Sequence, residues 1–211
     1  MRCCAFAALM LTCLSLTGLA QADYHPLQVG GKPVETKTKP GKLAIWSAKP
    51  GAATQLGPET PLFDWSIRPP KGFAFTQKAD GGNQVFIFQG NPRPDNSSPA
   101  LWIVLGNVRQ TESKKPLDEV VMDIYMIQLH QNRVNWKAPA VEYGSVKGRR
   151  FLRRRWSAAE ATGGVTRRLR GTVYLTLVGT KFAALTLQDT EPSANSTLGV
   201  MENSALSFHK R

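Results

Sequence analysis

Two hydrophobic periods divide the chain. In "LFDWSI" the residues Phe63, Trp65 and Ile67 alternate with Asp64, Ser66 and Arg68. That period of two is the mark of a half-buried strand, and Pro69-Pro70 must end it. Phe73 and Phe75 restart the alternation after Gly72. "NQVFIFQG" predicts a strand through Val85 to Phe88, "ALWIVLGNVR" another through Leu101 to Val108, and "NPRPDNSSP" a loop between them. The period then changes: Leu117, Val120, Val121, Ile124 and Ile127 fall at the spacing of an amphipathic helix. Ser113 and Pro116 suit its start, and Asp118 and Glu119 lie in its first turn, where the helix dipole favours negative charge. Strands follow around Val141 to Val146, Phe151 to Trp156, Leu169 to Leu177 and Phe182 to Leu187. A closing helix begins near Ser193, with Leu198, Met201, Leu206 and Phe208 facing inward. Strands, a helix, strands and a helix, with most neighbouring strands close enough for hairpins, predict an α+β domain on an antiparallel sheet.

The N-terminal part carries neither period. Residues 1–22 place Arg2 before an apolar run and finish in Ala20-Gln21-Ala22, the small-x-small pattern of a secretory signal cleaved after Ala22. The run from Cys4 to Leu19 is short for a spanning helix, so no transmembrane segment is expected after cleavage. The destination is periplasmic or extracellular. Cys3, Cys4 and Cys13 leave with the signal, which excludes thiol catalysis, thiolate metal sites and disulfides from the mature chain. Residues 23–60 are rich in Pro, Gly, Lys and Thr and read as a flexible leader, although Leu43, Ile45 and Trp46 allow a short strand or docking segment. The single ordered domain is expected over 61–211.

The phrases "FDWSIRPPKGF", "FIFQG", a helix opening on "LDEV", "GRRFLRRRW", "RGTVYL" and a late "LTLQD" occur in an order that resembles the PsbP-like family. That family includes the extrinsic oxygen-evolving subunit of photosystem II, a nuclear Ran-binding protein and many exported bacterial proteins. The resemblance spans roughly residues 61 to 209 and implies an α-β-α sandwich, with a helix on each side of an antiparallel sheet. It carries over no functional residue, because the family's members do unrelated jobs.

Charge sharpens the picture. The chain has 27 basic and 15 acidic residues; without Arg2 the basic count is 26. Between Arg133 and Arg170 lie eleven basic residues and two acids, Glu142 and Glu160. Taking Gly163-Gly164 as the centre of a tight hairpin makes the numbers of facing residues sum to 327. One face then holds Leu152, Arg154, Trp156 and Ala158 opposite Leu175, Val173, Gly171 and Leu169, with Glu160 opposite Arg167 at its outer end. The other holds Arg153, Arg155, Arg168 and Arg170. Gly179-Thr180 turns the next hairpin and continues this second face onto Ala183, Leu185 and Leu187, so both faces need cover near the middle of the sheet. Arg153, opposite Tyr174, is expected to lie on an aromatic ring or to pair with an acid of the covering helix.

No catalytic constellation emerges. His25, His130 and His209 share no metal-ligand spacing, no G-x-S-x-G elbow is present, and Asp118, Glu119 and Asp123 suit a solvated helix face. The glycines of "ADGGNQ" and "ATGGVT" precede strands, where hairpin turns and not phosphate cradles are expected. No cofactor or metal is expected. The leading expectation is an exported, non-enzymatic binding or accessory protein whose patch of Arg155, Arg168, Arg170 and Arg153 docks on an anionic lipid, an acidic polysaccharide or an acidic protein. Export places nucleic acid low among the partners. The alternatives are a small-ligand carrier or enzyme with a pocket between sheet and helix, using Tyr125, Tyr143 or the tryptophans, and a structural assembly subunit. A bland reading of the arginines, as solvated strand positions partly neutralised by Asp118, Glu119 or Asp123, competes with all of these.

Overall fold

The computed structural model describes residues 43–108, 113–162 and 165–211; the expected signal peptide, most of the leader and Gly163-Gly164 lie outside the described residues. The strands are β1 Ala44–Ile45, β2 Thr60–Leu62, β3 Trp65–Ile67, β4 Ala74–Asp80, β5 Asn83–Gln89, β6 Ala100–Asn107, β7 Val134–Lys137, β8 Glu142–Val146, β9 Arg149–Thr162, β10 Val165–Val178, β11 Lys181–Thr190 and β12 His209–Lys210. Two helices, α1 Leu117–His130 and α2 Ala194–Ala205, complete the list of long elements.

The main sheet runs β1-β8-β9-β10-β11-β6-β5-β4, with β7 also paired to β9, and a small sheet runs β12-β3-β2. All pairs are antiparallel except β1 with β8. Short hairpins account for most of this order. Asp80 pairs with Asn83 across Gly81 and Gly82, whose φ values of 55° and 85° are those a twisted two-residue turn needs. The long β9–β10 pair keeps one register from Thr162↔Val165 to Leu152↔Leu175, the register its alternation predicted.

Both faces of the main sheet are covered near its centre. Val121, Met122 and Tyr125 of α1 share a core with Leu152, Trp156, Val173 and Leu175. On the opposite face Met201 and Ala205 of α2, with Trp65, Ile67 and Phe208, cover Phe86, Phe88, Ile103, Phe151, Tyr174 and Leu185. Leu101 to Val104 are therefore buried without alternation. Each such side chain contributes about 1.5–3 kcal/mol. The class is α+β and sheet-dominated: two helices serve twelve strands among the described residues, and the small sheet completes the layer that α2 begins.

Three expectations are corrected. Ile127 is not inward but 64% exposed; the buried stripe is Val121, Met122, Tyr125, Met126 and Leu129, turned from the aliphatic one because Tyr125 and two methionines reach further into the core. Phe63 does not face the core either. It sits at φ 55° in the turn between β2 and β3, 61% exposed, with its ring edge-on to Phe86 at 5.8 Å. Residues 43–60, read as leader apart from the short strand or docking segment allowed at Leu43, Ile45 and Trp46, hold ordered contacts throughout that allowed stretch and beyond it. β1 pairs with β8, Ala52 and Leu56 are buried, and the Trp46 indole rests on the bare backbone of Gly144. The apolar residues Trp46, Ala52 and Leu56 are too widely spaced to show a period, yet each finds a site on the domain.

Candidate functional site

β7, β9 and β10 lie side by side, so their pairing builds the basic face row by row. Val134, Ala159 and Arg168 form one row, and Lys137, Ser157 and Arg170 the next. Arg155 opposite Thr172 and Arg153 opposite Tyr174 follow toward the middle of the sheet.

The four arginines have different surroundings. Arg153 leaves the surface: its side chain is only 15% exposed, with the guanidinium 4.4 Å from the Trp46 ring centre and hydrogen-bonded to Glu142 and the Tyr174 hydroxyl. Both expected modes occur together, although the acid comes from β8. The covering helix is reached through Tyr174, whose hydroxyl donates to Glu202 of α2. Burial works against the Arg153 charge, but the bonds to Glu142 and Tyr174 outweigh it and raise its pKa. Burial and the Glu202 charge push the Tyr174 phenol up to about 12.

Arg155 is half-exposed and donates to the other oxygen of Glu142, so one carboxylate serves two guanidinium groups. Arg170 donates to Asn195 Oδ1 and lies 3.8 Å from Glu191. Arg168 is exposed, and among the described residues it has no carboxylate partner. The acids of α1 serve other arginines: Asp118 holds Arg150 at 2.8 Å and Asp123 holds Arg154 at 3.3 Å, while Glu119 accepts from the Tyr143 hydroxyl. These pairs lie on the α1 side of the sheet. Neutralisation by α1 thus bypasses the predicted patch.

Two members of this end were not legible. Lys137 joins the face because β7 pairs with β9 through an irregularity at Asn135, φ 53°, and "VNWK" gives no strand alternation. Arg93 reaches across from the loop between β5 and β6, read as a plain loop, and grips Asp189 with two bonds of 2.7 Å. Asp189 pairs with Arg170 across the strands, but its fully buried carboxylate is taken by Arg93 and Thr197. The bond to Asp189 raises the Arg93 pKa against desolvation. A lone acid in the apolar run of β11 was the available signal, since a buried carboxylate needs a cation.

The pocket expected between sheet and helix is an open cleft of about 190 Å³ lined by Lys115, Glu119, Met122, Asp123, Val141 and Arg154. Lys115 and Arg154 both pair with Asp123, and Glu119 accepts from the Tyr143 hydroxyl. Tyr125 is buried on Thr186 Oγ1 and the stacked Trp136 and Trp156 lie in the core cluster, so neither lines it. Among the described residues no group of three His, Cys, Asp or Glu is placed to hold a metal, and no helix is long and apolar enough to cross a membrane.

A solved structure shares this architecture. Cyanobacterial PsbP (CyanoP) from Synechocystis matches with a TM-score of 0.50 and 15% identity, over 83% of this chain and 99% of that one. The fold is PsbP-like. The Ran-binding protein Mog1p of Saccharomyces cerevisiae matches with a TM-score of 0.49 and 12% identity, over 72% of this chain and 94% of that one. No family model and no curated protein matches the sequence. The PsbP-like fold accounts for the layered sheet and its two helices, and function has to be argued from the surface.

Proposed function

We propose that the protein is an exported, non-enzymatic binding or accessory protein that docks through the outer end of its β9–β10 face onto an anionic partner. Arg168 carries this reading: it is exposed and without a carboxylate among the described residues, with Arg170 in the next row and Arg155 beyond. Lys137 extends the cationic area across β9. Clustered like charges repel, and an anionic partner relieves that cost. Arg153 belongs to the support of this surface, because it holds Glu142 in place beneath Arg155. The signal-like N-terminus supports export.

The test is binding to immobilised polyglutamate and to an acidic polysaccharide at low and high salt. Wild-type protein is expected to bind at low salt and release as screening shortens the reach of its charges. Reversing Arg155, Arg168 and Arg170 to Glu should abolish binding. Unchanged binding by that variant, or no binding by the wild type, overturns the reading.

A further inference from the structure

The two ends of the main sheet are finished differently. At one end β1 lies along β8, whereas at the other β4 pairs with β5 alone among the described residues. The outer edge of β4 is open. In a hairpin with a two-residue turn the flanking residues, here Asp80 and Asn83, form a hydrogen-bonded pair, so Asp80, Lys78, Thr76 and Ala74 turn their backbone groups toward β5. The residues between them, Phe75, Gln77 and Ala79, turn theirs to the open side.

The side chains of these same residues lie on the α2 side of the sheet, since Phe75 faces Phe88 and Gln77 faces Phe86. There an aromatic cluster reaches solvent. The buried Phe86 ring is met by two exposed ones, Phe63 edge-on at 5.8 Å and Phe75 stacked at 6.4 Å, which are 61% and 48% exposed. Exposed rings beside an unpaired strand edge suit the addition of a further strand.

Charge and register point to what that strand is. The chain carries a formal charge of +12, so two copies repel each other over most approaches. Residues 72–92 are balanced, with Lys78 and Asp80 their only charges, and Asp64, next to Phe63 in the chain, is paired with Lys181 at 3.5 Å. The strand also complements itself. Two copies of β4 laid antiparallel about Gln77 set Phe75 opposite Ala79, Gln77 opposite Gln77, Thr76 opposite Lys78 and Ala74 opposite Asp80. Each ring then has a small residue across from it and no like charges stand face to face. Every outward-turned residue is paired in this register, which forms about six hydrogen bonds. Centring the pair on Lys78 instead would oppose two ammonium groups.

We infer that two copies of this chain join through β4, antiparallel about Gln77, into one continuous sheet. The anion-docking face on β9 and β10 takes no part, so the two readings stand or fall separately. In sedimentation equilibrium at rising concentration the wild type should reach twice the mass of one chain. High salt should strengthen this association by screening the repulsion, opposite to its effect on anion docking. Over the same concentration range amide exchange should slow at Phe75, Gln77 and Ala79. Gln77→Pro removes an outward N–H without touching the β5 ladder and should abolish the dimer. Phe75→Ser, at an exposed site, should weaken it about tenfold while retaining the wild-type circular dichroism. A chain that stays single at every concentration overturns the inference and leaves the edge to a strand of another protein. A dimer indifferent to both substitutions overturns it as well, because the copies then meet elsewhere.

Discussion

Arg153 and Arg168 occupy one face of one hairpin, on adjoining strands, and meet opposite fates. The inner half of that face lies under α2 and the segment around Trp46, so its arginine lies over the Trp46 ring beside Tyr174 and is fixed to a carboxylate. The outer half extends past both covers and its arginine faces solvent. Residue type and strand position are alike; what differs is the layer above. An arginine-rich stretch is therefore no uniform basic motif, and the cover decides which of its charges are structural.

Four measurements press on this contrast. Tyr174 belongs to the inner half, and its folded pKa of about 12 stands above the ordinary value of 10.0. Between those values the folded state keeps a proton that the unfolded chain has released. Stability is thus whole below pH 10 and falls by up to roughly 2–3 kcal/mol as pH rises toward 12. Denaturant melts across that range, with tyrosinate absorbance as the second signal, check it; a flat profile breaks the claim that the inner half is sealed. Arg153→Ala should cost about 2 kcal/mol in the same melts, from a lost charged hydrogen bond and ring contact. Glu142→Gln should cost about 1 kcal/mol yet strengthen polyglutamate binding, because the half-exposed Arg155 is released. Arg168→Ala should stay within about 0.5 kcal/mol of wild type, while binding to polyglutamate weakens. A stability loss for Arg168→Ala equal to that for Arg153→Ala would erase the distinction between the halves.

The hairpin was legible because a period of two is rigid: one turn position fixes every partner, and the sorting of Leu152, Trp156, Val173 and Leu175 from the arginines left one register. The PsbP-like element order was legible for the same reason, since strand and helix periods survive where side chains vary. The rotation of α1 away from Ile127 was not, because hydrophobic spacing ignores how far Met122 and Tyr125 reach. Lys137 and Arg93 escaped notice, and the seat of Trp46 with them, although its stretch was read as a short strand or docking segment, because each joins its site through a long-range contact: a bulged pairing, a loop that crosses to Asp189, and a segment laid on Gly144. Such contacts leave no periodic trace.

The segment at Trp46 also bears on how the molecule survives in company. Without β1 the sheet would end at β8, whose unpaired backbone groups invite strands from other chains. Ala44 and Ile45 occupy that edge in the parallel sense, and Trp46 anchors them with a bond from its amide to the Ser145 carbonyl at 2.8 Å. The indole fits only because residue 144 has no side chain; a Cβ there would stand 2.3 Å from a carbon of the ring. A single glycine and a single tryptophan thus act together as a guard against aggregation, holding a short stretch of chain over the edge where uncontrolled assembly would begin.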